Sequence, residues 1–289
     1  MNYRLIKAFW LRLLKEKPLA SVGGGILLLL VLVALLADVL APYRMDQMDL
    51  RAMLEGPSRD HWFGTDEIGR DLLSRVIHGA RISITVGLVG AVYATALSTI
   101  LGLSSGYFGG KFDVVLQRFV DSWMSFPDLF LALAILAVVG PGITQVIFVI
   151  GLLYAISGSR IIRGATIQTN ANVYVEAARV VGCSNFRIMF VHILPNVMAP
   201  IIILLTTRMA SMILVEASLS FLGYGIPPPE PSWGGMLSGA GRMYMVQNPW
   251  IALWPGIALG TVVYGINMFG DGLRDLLDPR LRGSVERFG

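Results

Sequence analysis

Residues 82–110 read ISITVGLVGAVYATALSTILGLSSGYFGG, and no charged side chain interrupts them. A helix that crosses the roughly 30 Å hydrocarbon layer of a bilayer needs about 20 mostly apolar residues. This stretch is longer than that, and a second uncharged stretch, Leu19 to Ala37, has nearly the required length. The sequence therefore predicts helices that cross a membrane.

The composition of the whole chain agrees with these stretches. Of its 289 residues, 55% are hydrophobic and only 15% are charged, and the mean hydropathy is +0.66. A soluble globular domain carries about 25% charged residues, so the composition predicts an all-α integral membrane protein surrounded by lipid. The single cysteine, Cys183, excludes a disulfide within the chain. The net charge of +4 is spread thinly and forms no basic stripe, so no nucleic-acid partner is expected.

Six transmembrane helices are predicted, which places both chain ends on the same side. The uncharged stretch from Leu129 to Ser159 is too short for two helices and is broken at residues 140–142, so the third span is predicted to begin near Arg118. The predicted spans are Leu19–Ala37, Ile82–Gly110, a third from Arg118 that includes Asp121 and Asp128, Ile143–Ile162, Asn196–Phe221 and Trp250–Phe269. Every lysine and most arginines fall on one side under this layout, which predicts that both ends lie inside.

Two outer segments carry patterns of their own. Ile68, Leu72, Val76 and Ala80 repeat at every fourth position, which predicts that residues 66–81 form a helix lying in the membrane interface before the second span. Residues 222–249 are rich in Gly and Pro and are predicted to form a folded cap or plug near the outer mouth. The chain thus divides into an N-terminal unit (1–81), a core of five spans with an inner loop at 163–195 (82–282), and a tail (283–289).

The inner loop between the fourth and fifth spans is long and patterned. It contains Glu176-Ala177-Ala178-Arg179, within a predicted short helix from Val175 to Val181. Gly182 can end this helix in a left-handed C-cap. A second helix is predicted to follow and to stop at Pro195, at the membrane entrance. An inner loop of this kind predicts contact with a partner protein.

The residues Glu176-Ala177-Ala178-x3-Gly182-x9-His192-x-Leu194-Pro195 resemble the EAA signature of ABC-importer permeases. His192 replaces the more usual apolar residue, as in the branch that serves peptides and nickel. Further stretches resemble the same branch, and the resemblance spans residues 19–282 to a C-type permease subunit of dipeptide and oligopeptide importers. These stretches are Phe63-Gly64-Thr65-Asp66, Gly79-Ala80-Arg81, Glu216-Ala217-Ser218-Leu219-Ser220-Phe221-Leu222-Gly223, Pro231-Ser232-Trp233-Gly234 and Gly270-Asp271-Gly272-Leu273-Arg274. Residues 156–159 depart from the branch, which often has an aromatic residue before Arg160.

The resemblance implies a type I ABC-importer permease fold in the bacterial cytoplasmic membrane. It implies a heterodimer with a homologous B-type permease, two cytoplasmic ATP-binding subunits and an extracytoplasmic solute-binding protein. The chain itself is then no enzyme, since its partners hydrolyse ATP. The residues implied in coupling to the ATPases are Glu176, Ala177, Ala178, Gly182, Leu194 and Pro195.

Three charged residues within the predicted spans are candidates for the translocation path. Arg208 lies near the middle of the fifth span, and Glu216 follows on roughly the same face, while Asp128 follows a proline in the third. Charges at such depth usually face a bundle interior or a wet cavity. Each residue has two open interpretations, a path lining or a structural contact.

No catalytic, cofactor or metal site is predicted. The three histidines lie far apart in the chain, and residues 105–112 lack the glycine and the Ser/Thr of a phosphate-binding loop. The predicted function is ATP-driven import of peptides, with nickel or another small solute as the alternative cargo. An ion-driven secondary transporter is a less favoured alternative, because no clear inverted repeat or paired broken helices are found.

Overall fold

The computed structural model describes residues 13–277, except for the side chain of Ala240. Residues 1–12 of the predicted N-terminal arm and the predicted tail 283–289 lie outside the described residues. Helices make up most of the described chain, in which the only β feature is an isolated bridge between Thr65 and Asp71.

The α-helices are numbered in chain order. They are α1 (Pro18–Leu35), α2 (Ala37–Leu40), α3 (Leu72–Phe108), α4 (Gly110–Met124), α5 (Asp128–Val139), α6 (Ile143–Asn170), α7 (Val173–Val180), α8 (Asn185–Arg187), α9 (Met198–Phe221), α10 (Trp233–Leu237), α11 (Gly239–Tyr244) and α12 (Trp250–Leu277). Between α8 and α9 the chain forms a π-helix, Ile188–Ile193, and a 3₁₀ turn, Leu194–Val197.

Five helical segments are long and apolar enough to cross a membrane: α1, α3, α6, α12, and α9 together with the turns that begin at Asn185. The pair α4 and α5 meets the same test when taken together, although its two helices are bent by 86°. Counted as one broken span, this pair brings the number to the six that the sequence predicts. The predicted all-α membrane fold is therefore observed.

The third span, predicted to begin near Arg118 and to kink at Pro127, consists of two separate helices. Helix α4 ends at Met124, and α5 begins only after Pro127. Proline has no N–H and disfavours the helical conformation in the residue before it, which explains why the chain turns here. Asp128 therefore begins a helix instead of lying inside one.

Residues 66–81 do not form a separate helix before the second span. Asp66 to Asp71 lie in turns, and α3 begins at Leu72, where the Asp71 side chain accepts a hydrogen bond from the Ser74 N–H at 2.7 Å. From there α3 runs unbroken to Phe108, a length of about 55 Å at 1.5 Å per residue. The apolar repeat belongs to the start of this one long helix, since Leu72 and Ala80 are buried in the bundle.

Helices α3 and α6 pack closely at the centre of the bundle. A Cβ atom on Gly102 of α3 would lie 2.5 Å from the carbonyl oxygen of Ser159 on α6. Small residues permit this approach, and dispersion contacts at short range replace the hydrophobic effect as the force between helices in lipid. Side chains such as Val86, Ile150 and Met212 then fill the core between α3, α6 and α9.

The N-terminal helix lies on the outside of this core. Helix α1 packs against α12, and a Cβ atom on Gly23 would lie 2.5 Å from the carbonyl oxygen of Gly265. An ion pair of 2.6 Å between Lys17 and Asp275 joins the same two elements. The opposite face of α1 exposes leucines such as Leu28, as expected of a surface in contact with lipid.

Residues 41–71 and 222–249 pack together at one end of the bundle and are called the cap. Phe63 stacks on Trp254 with ring centroids 3.9 Å apart, and Trp233 is buried with its Nε1 donating to the Val76 carbonyl at 2.9 Å. The Gly- and Pro-rich segment is thus a folded element. Helix α3 runs from this cap end to the opposite end, called the short-helix end because α7 lies there.

Candidate functional site

The short helix α7 covers Val173–Val180, close to the predicted 175–181. Its inner side chains, Val175 and Ala178, are buried against residues that include Leu103 and Tyr107 of α3. Glu176 and Ala177 point away from this small core and are exposed. One face of α7 therefore packs against the bundle, and the other face is exposed.

Gly182 ends α7 in the predicted manner. Its φ angle is +84°, and its N–H donates to the carbonyl of Arg179 while the N–H of Cys183 donates to the carbonyl of Ala178. These two bonds form a Schellman motif, which glycine favours because it adopts the left-handed conformation without a steric penalty.

The surface beside α7 is apolar and exposed. Val173, Val180, Val181 and Phe186 expose 71 to 83% of their area. These four residues, with Glu176 and Ala177, are called the short-helix surface. Large exposed apolar patches in folded proteins mark interaction sites. The Glu-Ala-Ala motif was predictable from the sequence. The exposure of these valines and of Phe186 is visible only in the folded chain.

The second helix of the loop was predicted to stop at Pro195, but helical structure continues past this residue. The π-helix, the 3₁₀ turn that contains Leu194 and Pro195, and α9 follow one another without a break. Proline cannot donate the backbone bond that a regular helix requires, and the turns on either side change their hydrogen-bond spacing to accommodate it. Leu194 is half-buried and Pro195 is exposed. Both belong to the 3₁₀ turn that leads into α9 and are not part of the short-helix surface.

Hydrogen bonds tie this loop to the transmembrane helices. The Tyr107 hydroxyl at the end of α3 donates to Asn185 Oδ1 at 2.8 Å. Arg179 of α7 donates to Asn170 Oδ1 at 2.6 Å and lies over the Tyr107 ring at 5.4 Å. These contacts connect α7 and the chain that follows it to α3 and α6.

Arg163 of α6 makes a further connection, to Asp113 of α4. Its Nε and Nη2 atoms bind the two carboxylate oxygens at 2.7 and 2.5 Å. Arg160, also on α6, forms an ion pair with Asp121 of α4. Asp113 was not predictable as a site residue, because its partner Arg163 lies far away along the chain and no local pattern relates the two.

Arg208 lies on α9 with its guanidinium over the ring of Tyr154, at 4.4 Å from the centroid. Its Nη2 donates to Ser157 Oγ at 2.9 Å. It also lines a cleft of about 560 Å³ between α6, α9 and α12, together with Thr207 and Arg274. Charged groups at this depth require water or a polar partner, so the surroundings of Arg208 suit a wet face of the bundle.

Asp128 is exposed at the start of α5, whereas Arg208 lines the cleft between α6, α9 and α12, and Asp128 is not among the residues that line this cleft. Their side chains form no direct ion pair within the described part of the chain.

Glu216 lies elsewhere, although the sequence places it on roughly the same face of the fifth span as Arg208. It is fully buried, and its Oε1 accepts a hydrogen bond from Ser220 at 2.7 Å. Ser220 in turn accepts from Ser232 of the cap at 3.2 Å. Glu216 therefore belongs to the contact between α9 and the cap.

Comparison with known proteins agrees with this architecture. Residues 98–283 match the family described as the inner membrane component of binding-protein-dependent transport systems, and residues 5–57 match the N-terminal transmembrane domain of oligopeptide transport permease C. The chain is 40% identical over 269 residues to the dipeptide transport system permease protein DppC of Alkalihalophilus pseudofirmus, covering 93% of this chain and 88% of that protein.

A second relative is named for a different cargo. The glutathione transport system permease protein GsiD of Pectobacterium atrosepticum is 38% identical over 277 residues, covering 96% of this chain and 91% of that protein. Among solved structures, the inward-facing MetNI methionine ABC transporter matches with a TM-score of 0.59 over 71% of this chain and 96% of that chain. At 16% identity this match concerns the fold alone. The chain therefore belongs to the family of multi-pass inner-membrane permeases of binding-protein-dependent ABC importers.

Proposed function

We propose that this chain is one of two permease subunits in an ATP-driven importer of di- and oligopeptides. Its partners are a homologous B-type permease, two cytoplasmic ATP-binding subunits and an extracytoplasmic solute-binding protein. The short-helix surface is the observation that carries this proposal, because it exposes a rigid apolar helix at the end of the bundle opposite the cap. The names of the relatives, which specify dipeptide and glutathione transport, support a peptide cargo.

In this proposal the short-helix surface docks on an ATP-binding subunit. Helix α7 has a buried face that fixes it to the bundle and an exposed face for a groove in the partner. When ATP brings the two ATP-binding subunits together, α7 moves with them. The contacts of Tyr107, Arg179 and Arg163 pass this movement to α3, α4 and α6, and the permease pair changes between inward-open and outward-open states.

The charges support an orientation with the short-helix end in the cytoplasm and both chain ends inside. Over the whole sequence this orientation places 15 Lys and Arg residues inside and seven arginines outside, and seven acidic residues of segment 46–71 accompany six of those seven. Cytoplasmic loops of membrane proteins carry an excess of Lys and Arg. The cap then lies outside, where it meets the solute-binding protein.

Arg208 and Asp128 line the translocation path between the two permeases in this proposal. Arg208 lines the cleft between α6, α9 and α12, Asp128 is exposed at the start of α5, and neither has an ion pair in residues 13–277. Glu216 serves as a structural contact with the cap, because it is fully buried against Ser220.

Site-directed crosslinking tests the docking assignment in the complete importer. Ala177→Cys, in a chain that also carries Cys183→Ser, is expected to crosslink to the ATP-binding subunit and never to the solute-binding protein. Val246→Cys in the cap, where Val246 is 88% exposed, is the matched control and is expected to show the reverse pattern.

Transport by the complete importer, reconstituted in proteoliposomes, tests the cargo. We expect ATP-dependent uptake of dialanine that requires the solute-binding protein. Uptake of nickel in place of any peptide would favour the alternative cargo, and uptake driven by an ion gradient without ATP would contradict the proposal as a whole.

A further inference from the structure

One cleft of the bundle is lined by two arginines and, within residues 13–277, by no acidic side chain. Its volume of about 560 Å³ falls in the range of ligand-binding clefts, about 300–1,000 Å³. Arg208 of α9 and Arg274 of α12 supply its charge, and its walls are mainly apolar, with residues such as Ile161 and Ile203. The cleft therefore places two positive charges between walls of low polarity.

Neither charge is neutralised within the described part of the chain. Arg208 donates to the hydroxyl of Ser157 and lies over the ring of Tyr154, and both of these partners are uncharged. Arg274 is exposed and forms no ion pair there, while the carboxylate of the neighbouring Asp275 is already paired with a lysine just before α1. A guanidinium cannot give up its proton, so a counter-ion for this cleft comes from outside the described residues.

The two arginines lie at different depths along the cleft. A Cβ atom on Gly270 of α12 would lie 3.2 Å from Oγ1 of Thr206 on α9, which places these two residues at one level. The two helices run in opposite directions. Arg274, four residues after Gly270, therefore lies toward the short-helix end, and Arg208, two residues after Thr206, lies toward the cap. At 1.5 Å per residue their backbones are about 9 Å apart along the axis, so a ligand that contacts both extends along the cleft.

This depth distinguishes the occupant from a membrane lipid. Arg208 lies ten residues from the start of α9, about 15 Å into a hydrocarbon layer about 30 Å thick. The phosphate of a phospholipid stays at the surface of that layer, so it can reach Arg274 near the end of α12 but not Arg208. An anion that contacts both residues has entered the bundle, as the cargo of an importer does.

We infer that Arg208 and Arg274 bind the carboxylate groups of the cargo in this cleft, and that the path therefore favours peptides with an acidic side chain. Such a peptide carries two carboxylates, one at its end and one on Asp or Glu, and balances both arginines. A peptide with a lysine side chain adds a positive charge and is repelled. This inference rests on the proposed function, and it specifies which chemical class of peptide the path favours.

The physical basis is the field of the cleft and not the shape of one contact. A cleft lined by charges of one sign, with walls of low dielectric, focuses the field and raises the local concentration of ions of opposite sign. Both arginines contribute to this field, so the loss of either one should weaken it. A lysine at the same position should preserve it.

Uptake of three dipeptides by the complete reconstituted importer tests the charge preference. Alanylglutamate, dialanine and alanyllysine are compared in the wild type, Arg208→Gln and Arg274→Gln. Either variant is expected to reduce the preference for alanylglutamate over alanyllysine by about tenfold, which corresponds to about 1.4 kcal/mol. Arg274→Lys should keep the wild-type preference. The control is Arg59→Gln, at an exposed arginine of the cap, which should also keep it.

Each comparison is a double-mutant cycle in which one change is made on the peptide. Any selectivity of the solute-binding protein cancels, because that protein is the same for every permease variant. Gln variants that lower uptake of all three dipeptides by one common factor would overturn the inference. Loss of the second permease from the purified complex in these variants would also overturn it, since the arginines would then bind that subunit.

Thiol labelling measures the field of the cleft without transport. Thr207 lines the cleft and is exposed, so Thr207→Cys, in a chain with Cys183→Ser, is treated in the assembled complex with an anionic and with a cationic thiol reagent. The ratio of the anionic to the cationic rate should be several-fold higher than at Ser218→Cys, an exposed position of α9 outside the cleft. Arg274→Gln should remove most of this difference, and alanylglutamate should slow the labelling of Thr207→Cys.

The outcomes separate this inference from the proposed function. If the wild-type importer does not take up dialanine with ATP, the proposed function fails. If it does so while the peptide preference is unchanged in both Gln variants and the two cysteines give equal rate ratios, only the assigned cleft fails. Protection of Thr207→Cys by phosphatidylglycerol and not by alanylglutamate would show that a lipid occupies the cleft, and would overturn the inference as well.

Discussion

The guanidinium of Arg163 binds the carboxylate of Asp113 with two parallel hydrogen bonds, from Nε to Oδ1 at 2.7 Å and from Nη2 to Oδ2 at 2.5 Å. Arg163 lies in the part of α6 that leads to the short helix, and Asp113 lies in the first turn of α4. The pair joins the helix that leads to α7 to the bent helix pair α4 and α5. We regard it as a mechanical link between the two.

We expect Asp113→Asn to weaken this link while the complex still assembles. The amide cannot balance the Arg163 charge, and a hydrogen bond to a charged group contributes about 1.5–3 kcal/mol. The number of peptides imported per ATP hydrolysed should fall about tenfold, measured in the reconstituted importer. The exchanged pair Asp113→Arg with Arg163→Asp should recover part of the loss, and an unchanged ratio in Asp113→Asn would refute the link.

The short-helix surface should be sensitive to charge and bulk. Glu176→Lys reverses an exposed charge on the face proposed to dock, and Gly182→Trp places a large side chain at a left-handed residue, where strain costs about 1–2 kcal/mol. We expect either change to abolish ATP-coupled uptake while the protein still inserts, as measured by transport and by the amount of chain in membranes. Gly182→Asn is the milder control, since Asn tolerates this conformation. Full uptake by Glu176→Lys or Gly182→Trp would show that the surface does not couple.

The close approach of α3 and α6 predicts a difference between two glycine substitutions. Gly102→Ala places a methyl group against the backbone of α6 at Ser159, and overpacking of this kind costs about 1–3 kcal/mol. Gly164→Ala is the matched control, because this residue of α6 faces open space and alanine favours a helix by about 1 kcal/mol. The melting temperature of the purified complex should fall for Gly102→Ala only. Equal melting temperatures for Gly102→Ala and Gly164→Ala would mean that α6 shifts to make room for the added methyl group without loss of stability.

The cap should depend on Trp233. This side chain is 1% exposed and its Nε1 donates to the Val76 carbonyl, and Trp233→Phe removes this hydrogen bond together with one buried ring. The Val76 carbonyl keeps its bond within α3, so the loss is that of one hydrogen bond and one ring, at about 0.5–1.5 kcal/mol for the bond. We expect limited proteolysis within residues 222–249 to become several-fold faster. Trp62→Phe, at a position 68% exposed, serves as the control and should behave like the wild type. No acceleration in Trp233→Phe would show that other contacts hold the cap.

The long regular features of this fold were predictable from local patterns. Predominantly apolar stretches predicted five of the crossings near their observed positions, because the cost of exposing polar groups to lipid depends on composition over about 20 residues. Gly182 was predictable as a C-cap because a left-handed residue after a helix selects glycine. Pro127 predicted a kink before Asp128, but not that the bend reaches 86°, because proline permits either a kink or a break and neighbouring helices decide between them.

Sequence by itself determined that this chain spans a membrane as a helical bundle, and that its Glu-Ala-Ala loop is a short capped helix. These properties depend on composition and on contacts between residues close in the chain. Only the tertiary structure decided that Arg208 lies over Tyr154 and donates to Ser157, while Glu216 joins the cap. Such contacts depend on how separate helices rotate and approach one another, and packing at residues such as Gly102 sets that geometry.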